Sequence, residues 1–324
     1  MIVSLDHVAL PSPAENGSVV SVGVFDGVHL GHAAILRTNV ARARELGARA
    51  VVVTFREHPK AVLLGRAPRT LTSLEHRLEL FRRAGIDHTL ALTFDEELRQ
   101  VPATEFAREW LAGRLAARKL VLGFDSKFGR GREGTPEHLR ELGYDVEVVS
   151  EVVVSGRPVS STAIREAVEL GDLTSAAHML GRPVAVYGDV VAGDARGREL
   201  GFPTANLDLH HELFPPPGVY ACRVRRATSN TASLPAVTNI GFRPTIEVER
   251  PTLPRIEVHV LDFSGDLYGE FLEVEFEALL RGEQRFASLE ALRAQIAIDV
   301  EHARELFGRR SNPSGEDVRP QTLR

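Results

Sequence analysis

Cysteine is almost absent from this chain: Cys222 is the only one in 324 residues. That excludes a disulfide framework, no CxxC pair offers a metal clamp, and a reducing cytoplasm is the expected home. Long apolar runs are missing too. Nothing approaches the roughly 18 residues a membrane helix needs, and the N-terminal stretch lacks a basic start followed by a sustained apolar run. The expectation is a protein neither exported nor embedded in a membrane. Charge of one sign is not in excess: 39 Lys and Arg against 44 Asp and Glu leave −5, which gives no general affinity for nucleic acid or an anionic membrane. No GxxxxGK[ST] phosphate loop, no HExxH and no internal repeat occurs.

What is present suits two globular domains, with 43% hydrophobic and 26% charged residues. An apolar run through Val19, Val20, Val22, Val24 and Phe25 ends at Asp26-Gly27. A helical pattern follows at once, with Leu36, Val40 and Ala43 on one face and Gly47 as its stop. His29-Leu30-Gly31-His32 therefore sits where a strand passes into a helix. The first N–H groups of a helix lack internal partners and the dipole is positive there, so such a turn binds anions. Gly27 and Gly31 permit close approach of a phosphate, and two imidazoles three residues apart can face one ligand. Two surface histidines near a helix start would give the same HxGH string. Zinc is disfavoured, since no Cys/His cluster accompanies the pair.

Strand and helix patterns alternate through the first half: strands at 50–55, 88–94 and 119–124, helices after Thr72-Ser73-Leu74-Glu75, a capping box with Thr72 as the cap, at 103–116 and after Thr135-Pro136. This spacing predicts a parallel sheet with helices on both faces and ligands at the carboxyl ends of the strands. A second helix start, Ser160-Ser161-Thr162-Ala163-Ile164-Arg165, follows an expected strand at 152–154, and gathers hydroxyls and an arginine, although serine there is ordinarily a cap. The Gly129 to Gly134 stretch matches GxGxxG but is separated from its strand by Asp125-Ser126-Lys127-Phe128, so it reads as a basic loop and not a dinucleotide fingerprint.

Near Gly181-Arg182-Pro183 the helical period gives way to β-rich runs at 184–191, 219–224, 236–240, 256–261 and 271–276. Short strands between Gly and Pro turns predict an antiparallel barrel. A helix at 288–307 closes it, with Leu289, Leu292, Ile296 and Val300 as its stripe. The domains expected are 1–182 and 183–308, with a disordered tail at 309–324. Gly197 and Gly201 flank a loop able to cover phosphates, and Thr204 and Asn206, two apart in extended chain, can hold a hard cation. Glu257 faces away from Ile256 and Val258, a base if that face is the interior and a solvated residue otherwise.

Several stretches then decide more than periodicity does: residues 23–32, Thr54-Phe55 with His58-Pro59, Leu71-Thr72, residues 160–165, Gly201-Phe202-Pro203-Thr204-Ala205-Asn206, Gly218-Val219-Tyr220-Ala221, residues 239–245, and Leu261-Asp262-Phe263 with Tyr268-Gly269. In this order, across residues 19–307, they resemble the bacterial bifunctional riboflavin kinase/FAD synthetase family. The resemblance implies an α/β nucleotidyltransferase-like domain that joins FMN to the adenylyl group of ATP. His29 and His32 would neutralise the ATP phosphates, and Gly23, Phe25, Asp26, Gly31, Asp125, Ser160, Ser161, Thr162 and Arg165 would contribute to nucleotide binding. It further implies a six-stranded kinase barrel in which Gly197 and Gly201 lie at the nucleotide, Thr204 and Asn206 hold Mg2+, and Glu257 takes the proton of the riboflavin 5′-hydroxyl. FMN and FAD would be substrate and product, not redox cofactors; riboflavin, FMN and ATP would be the partners, and a homo-oligomer stays open. Glu57 stands where the family commonly has Pro, and Ser126 where it commonly has an aromatic. Those departures leave two other readings open, a riboflavin kinase with an inactive N-terminal domain and a non-catalytic flavin-binding regulator.

Overall fold

The computed structural model describes residues 1–6, 14–193, 196–209, 213–227, 232–241 and 255–311. The chain forms two compact units, one of Met1–Arg182 with His211–Phe214 and one of Pro183–His210 with Pro215–Arg324. In the first, the parallel strands are β1 (Ile2–Leu5), β2 (Ser18–Val22), β3 (Arg49–Phe55), β4 (His88–Leu92), β5 (Ala117–Gly123) and β6 (Val146–Val149), in spatial order β1-β4-β3-β2-β5-β6. Successive valines of β2 and β3 point to opposite faces and both are buried. Val20, Val22, Val51 and Val53 pack with Phe106, Leu111 and Leu122 on one side, while Val19, Val52 and Val121 pack with Leu36, Ala43 and Phe81 on the other. Burial on both faces is why these strands are continuously apolar.

The helices of this unit are α1 (Leu30–Glu45), α2 (Lys60–Leu64), α3 (Leu74–Arg83), α4 (Glu96–Gln100), α5 (Ala103–Phe106), α6 (Pro136–Glu141), α7 (Ser161–Glu169) and α8 (Leu173–Leu180), with a π-helical stretch Ala107–Arg114 after α5. Two expectations are corrected, and one strand is added. The sixth sheet strand is β6, whereas 153–154 forms β7 (Val153–Val154), a two-residue hairpin partner of β8 (Arg157–Pro158) outside the sheet. The short edge strand β1 carries too few residues to show a pattern. Ser73, not Thr72, caps α3, accepting from His76 N, because the Thr72 hydroxyl is used elsewhere.

The second unit is a closed barrel of β9 (Val184–Val191), β10 (Ala205–Leu209), β11 (Gly218–Arg226), β12 (Leu234–Gly241), β13 (Arg255–Val260) and β14 (Phe271–Arg281), ordered β10-β13-β12-β11-β14-β9. Closure removes unpaired edges. Val186, Val224, Ile256, Val258, Val274 and Phe276 are buried residues of its inner face. After α9 (Arg196–Glu199), the remaining helix is α10 (Leu289–Ser311), whose Val300, Ala303 and Phe307 cover Val219, Ala221 and Val237 on the barrel's outer face. Its buried stripe thus starts later than expected, since Leu289 is 68% exposed, and its backbone runs on to Ser311. Motif residues 242–245 and tail residues 312–324 lie outside the described residues.

Candidate active sites

β2 ends at Val22, and residues 23–29 turn sharply to deliver the chain to α1. Phe25, Gly27 and Val28 all have positive φ, at 53°, 81° and 38°. Left-handed Phe and Val each cost on the order of 1–3 kcal/mol, so other groups must hold the turn. Asp26, 3% exposed, accepts from Leu71 N (2.8 Å) and Thr72 N (3.2 Å) and pairs with Arg165 (2.6 Å). Thr72 Oγ1 accepts from Gly27 N at 2.9 Å, and Ser161 Oγ donates to the Asp26 carbonyl at 3.0 Å. Arg77 donates to the Val24, Phe55 and Arg56 carbonyls. Gly27 is required here twice over, for its φ and because a Cβ would lie 2.7 Å from Leu71 Cδ1.

The turn presents a pair of imidazoles. His29 caps α1, its Nδ1 accepting from His32 N at 3.4 Å, which leaves Nε2 to carry the ring proton. The two rings stack with centroids 3.7 Å apart, and Phe25 meets His32 edge-on at 5.2 Å. Burial, then the charge of Arg182, pushes the His29 pKa down to about 4. His32 lies well below its ordinary value, through burial first, then His29, Arg182 and Arg77. Both rings are therefore neutral at pH 7, each carrying one N–H and no charge. His32 Nδ1 is buried with no hydrogen-bond partner among the described residues.

The structure gathers the other first-half candidates unevenly. Gly23, whose N donates to Val53 O, opens the turn, and Gly31 lies in the first turn of α1, where a Cβ would meet the His29 ring at 3.2 Å. Asp125 is exposed just beyond β5, the parallel neighbour of β2, at the same carboxyl end of the sheet. Ser160 caps α7 through Ala163 N, Thr162 is exposed, and the Arg165 guanidinium is engaged by Asp26 and by the Arg69 carbonyl. Thus α7 reaches the histidine turn from a hairpin, not from a sheet strand. Glu57 is exposed and Ser126 half-buried. Sequence reasoning missed Arg77, Thr72 as partner of Gly27, and Arg182. Nothing local marks them, because their partners lie 21 to 155 positions away.

Replacing Asp26 by alanine is expected to strand the Arg165 guanidinium and two backbone N–H groups, costing about 3–5 kcal/mol. Urea denaturation of the full chain checks this. The transition of the first unit moves to lower urea if Asp26 anchors the turn and stays in place if it does not.

In the second unit, Asn206 stands directly opposite Glu257, and Glu257 directly opposite Asn239, so the three side chains share one face across β10, β13 and β12. Val219, which packs under α10, continues that row, so the face is the barrel's exterior. The condition that spacing alone attached to Glu257 as a base, an inward-facing position, is not met: Ile256 and Val258 fill the interior and Glu257 looks outward, 3.5 Å from Arg255, so its role as base rests on the resemblance. Asn239 is the member of this row that sequence reading gave no role; only strand register reveals it. Asn206 Oδ1 is buried without a hydrogen-bond partner among the described residues. A Cβ on Gly197 would come within 3.0 Å of Thr204 Oγ1, and one on Gly193 would collide with Asn206, so these glycines leave a cradle beside two oxygen donors. Such donors suit a hard cation. Gly201, at φ 87°, ends the turn that returns Phe202 N to Gly197 O.

Comparison with known proteins bears on both sites together. The FAD synthetase family profile matches residues 12–163 and the riboflavin kinase profile residues 180–307. The bifunctional riboflavin kinase/FMN adenylyltransferase of Escherichia coli (strain K12) is 39% identical over 304 residues, 92% of this chain and 96% of that protein. This chain belongs to the bifunctional riboflavin kinase/FMN adenylyltransferase family. A member from Bacillus subtilis (strain 168) is 34% identical over 90% of this chain and 92% of its own length. A solved structure described as a macrolide-efflux protein from Streptococcus pneumoniae is 32% identical, covers 94% of this chain and 99% of that one, and superposes with a TM-score of 0.78. Among the described residues of this family member, no helix is long and apolar enough to cross a membrane.

Proposed function

We propose that the barrel unit phosphorylates riboflavin to FMN and that the α/β unit adenylylates FMN to FAD, with ATP consumed at each step. The observation that carries this is the presence in one chain of two separate polar constellations, the stacked neutral imidazoles and the Asn206–Glu257 cross-strand pair. In the first, an FMN phosphate oxygen attacks the α-phosphorus of ATP and pyrophosphate departs. His29 and His32 supply N–H donors to the oxygens on which charge builds, with Ser160, Ser161, Thr162 and Asp125 bordering the nucleotide and Gly23, Phe25, Asp26, Gly31 and Arg165 shaping its turn. In the second, Glu257 takes the proton of the riboflavin 5′-hydroxyl as that oxygen attacks the γ-phosphorus, while Gly197 and Gly201 border the phosphates. Thr204 and Asn206 fit Mg2+, which supplies charge neutralisation on ATP when bound.

Riboflavin, FMN and ATP are the partners on this reading, with no nucleic acid and no membrane. Self-association is compatible with it but not needed. A reducing cytoplasm suits the buried free thiol of Cys222. The exposure of Glu57 supports two working activities, since a side chain in solvent leaves the histidine turn undisturbed. The test is to supply FMN and ATP without riboflavin and follow pyrophosphate and FAD. One pyrophosphate per FAD supports the reading, and flavin retained with no pyrophosphate released favours a binding protein.

A further inference from the structure

Arg182 closes the first unit, in a tripeptide whose glycine and proline read from sequence only as a boundary. Its guanidinium lies across the histidine turn, Nη2 donating to the Gly27 carbonyl at 2.7 Å and Nη1 to the Val28 carbonyl at 3.1 Å. These two carbonyls belong to the left-handed residues immediately before His29. The adjoining chain is seated on the same place: Gly181 ends α8 with φ 71°, and a Cβ there would collide with Leu30, the first residue of α1.

We infer that Arg182 is a positioning residue for adenylyl transfer, its planar fork locking the Gly27 and Val28 carbonyls so that His29 and His32 keep the geometry the reaction needs. The inference rests on the proposed role of those histidines. Val28 at φ 38° is unfavourable for a β-branched residue, and rotating its peptide back to an ordinary conformation would swing the cap of α1. Asp26, Thr72 and Ser161 grip the turn on its Asp26 and Gly27 N–H side, while Arg182 grips the two carbonyls nearest His29. A guanidinium spans two oxygens at once, whereas an ammonium is a single point donor. Charge acts alongside geometry: the charged or titratable groups that bear on the His pair are Arg182 for His29, and His29, Arg182 and Arg77 for His32. All oppose protonation of the rings.

The experiment compares R182A, R182K and H32A in the full chain, assaying FAD from FMN and FMN from riboflavin, with an NMR titration of His29. R182A and R182K are both expected to lower kcat for FAD formation by about 100-fold, the scale of a small misplacement of reacting groups. KM for ATP should stay within about threefold, as for an interaction realised in the transition state. Riboflavin phosphorylation is unchanged. The His29 titration separates fork from charge. Removing the cation in R182A raises the His29 pKa above its wild-type value, while R182K keeps it low and still loses kcat. Near wild-type kcat in R182K, or equal loss of both activities, overturns the inference; if R182A does not fold, R182K alone decides. Full FAD formation by H32A would instead overturn the underlying reading of the histidines, whereas loss in H32A with none in the Arg182 variants overturns only the role of Arg182.

Discussion

FAD formation from FMN falls by about 100-fold to 1,000-fold when His32 is replaced by alanine, the usual scale for losing one preorganised donor, while FMN formation from riboflavin is kept. The size of the effect follows from how the ring is held. His32 stacks on His29 and is braced by the edge of Phe25, which itself packs edge-on against Phe81. A donor fixed in this way needs no reorganisation as charge builds on the phosphate, and burial strengthens its interaction. The replacement also opens space beside Phe25, so the Asn variant, which keeps a donor and more volume, separates lost chemistry from lost packing. Chromatographic separation of FMN and FAD reads the result directly. Equal collapse of FMN production in a folded variant would contradict the division of labour between the units.

The second large effect is at Glu257. Its replacement by glutamine keeps the shape and the cross-strand position opposite Asn206 but removes the basic oxygen, and riboflavin phosphorylation is expected to fall by about 100-fold to 10,000-fold. Adenylylation of supplied FMN continues at the wild-type rate. Because Glu257 sits on the barrel's outer face, where its side chain is 32% exposed, the substitution costs the barrel little stability. A variant that still phosphorylates riboflavin near the wild-type rate removes Glu257 from the role of base.

Both architectures were legible in the chain because periodicity is a local property. Val19, Val20, Val22 and Val51 to Val53 are apolar on both faces, as a strand covered on both sides must be, and after Arg182 the run at 255–260 alternates strictly, as a barrel strand with one solvated face does. The HxGH turn was legible for the same reason. Which side of the barrel carries the chemistry was not, since alternation reports that Glu257 and Ile256 face opposite ways without saying which way is in. Closure and the seating of α10 on Val219 and Val237 decide that. The clamp around the histidine turn was equally hidden. Arg77, Thr72 and Arg182 look like ordinary helix, cap and linker residues until the sheet brings them to the Val24–Val28 carbonyls and the Gly27 N–H. Leu289 misled in the opposite direction, continuing an apolar stripe beyond the part of α10 that packs.

A chromatographic time course with riboflavin, ATP and magnesium tests the central claim most directly. The account predicts that riboflavin declines, FMN appears first, and FAD follows from it with release of pyrophosphate. FMN accumulating with no FAD, even when FMN is supplied in excess, would contradict it and leave the histidine turn as a nucleotide-binding site without its reaction.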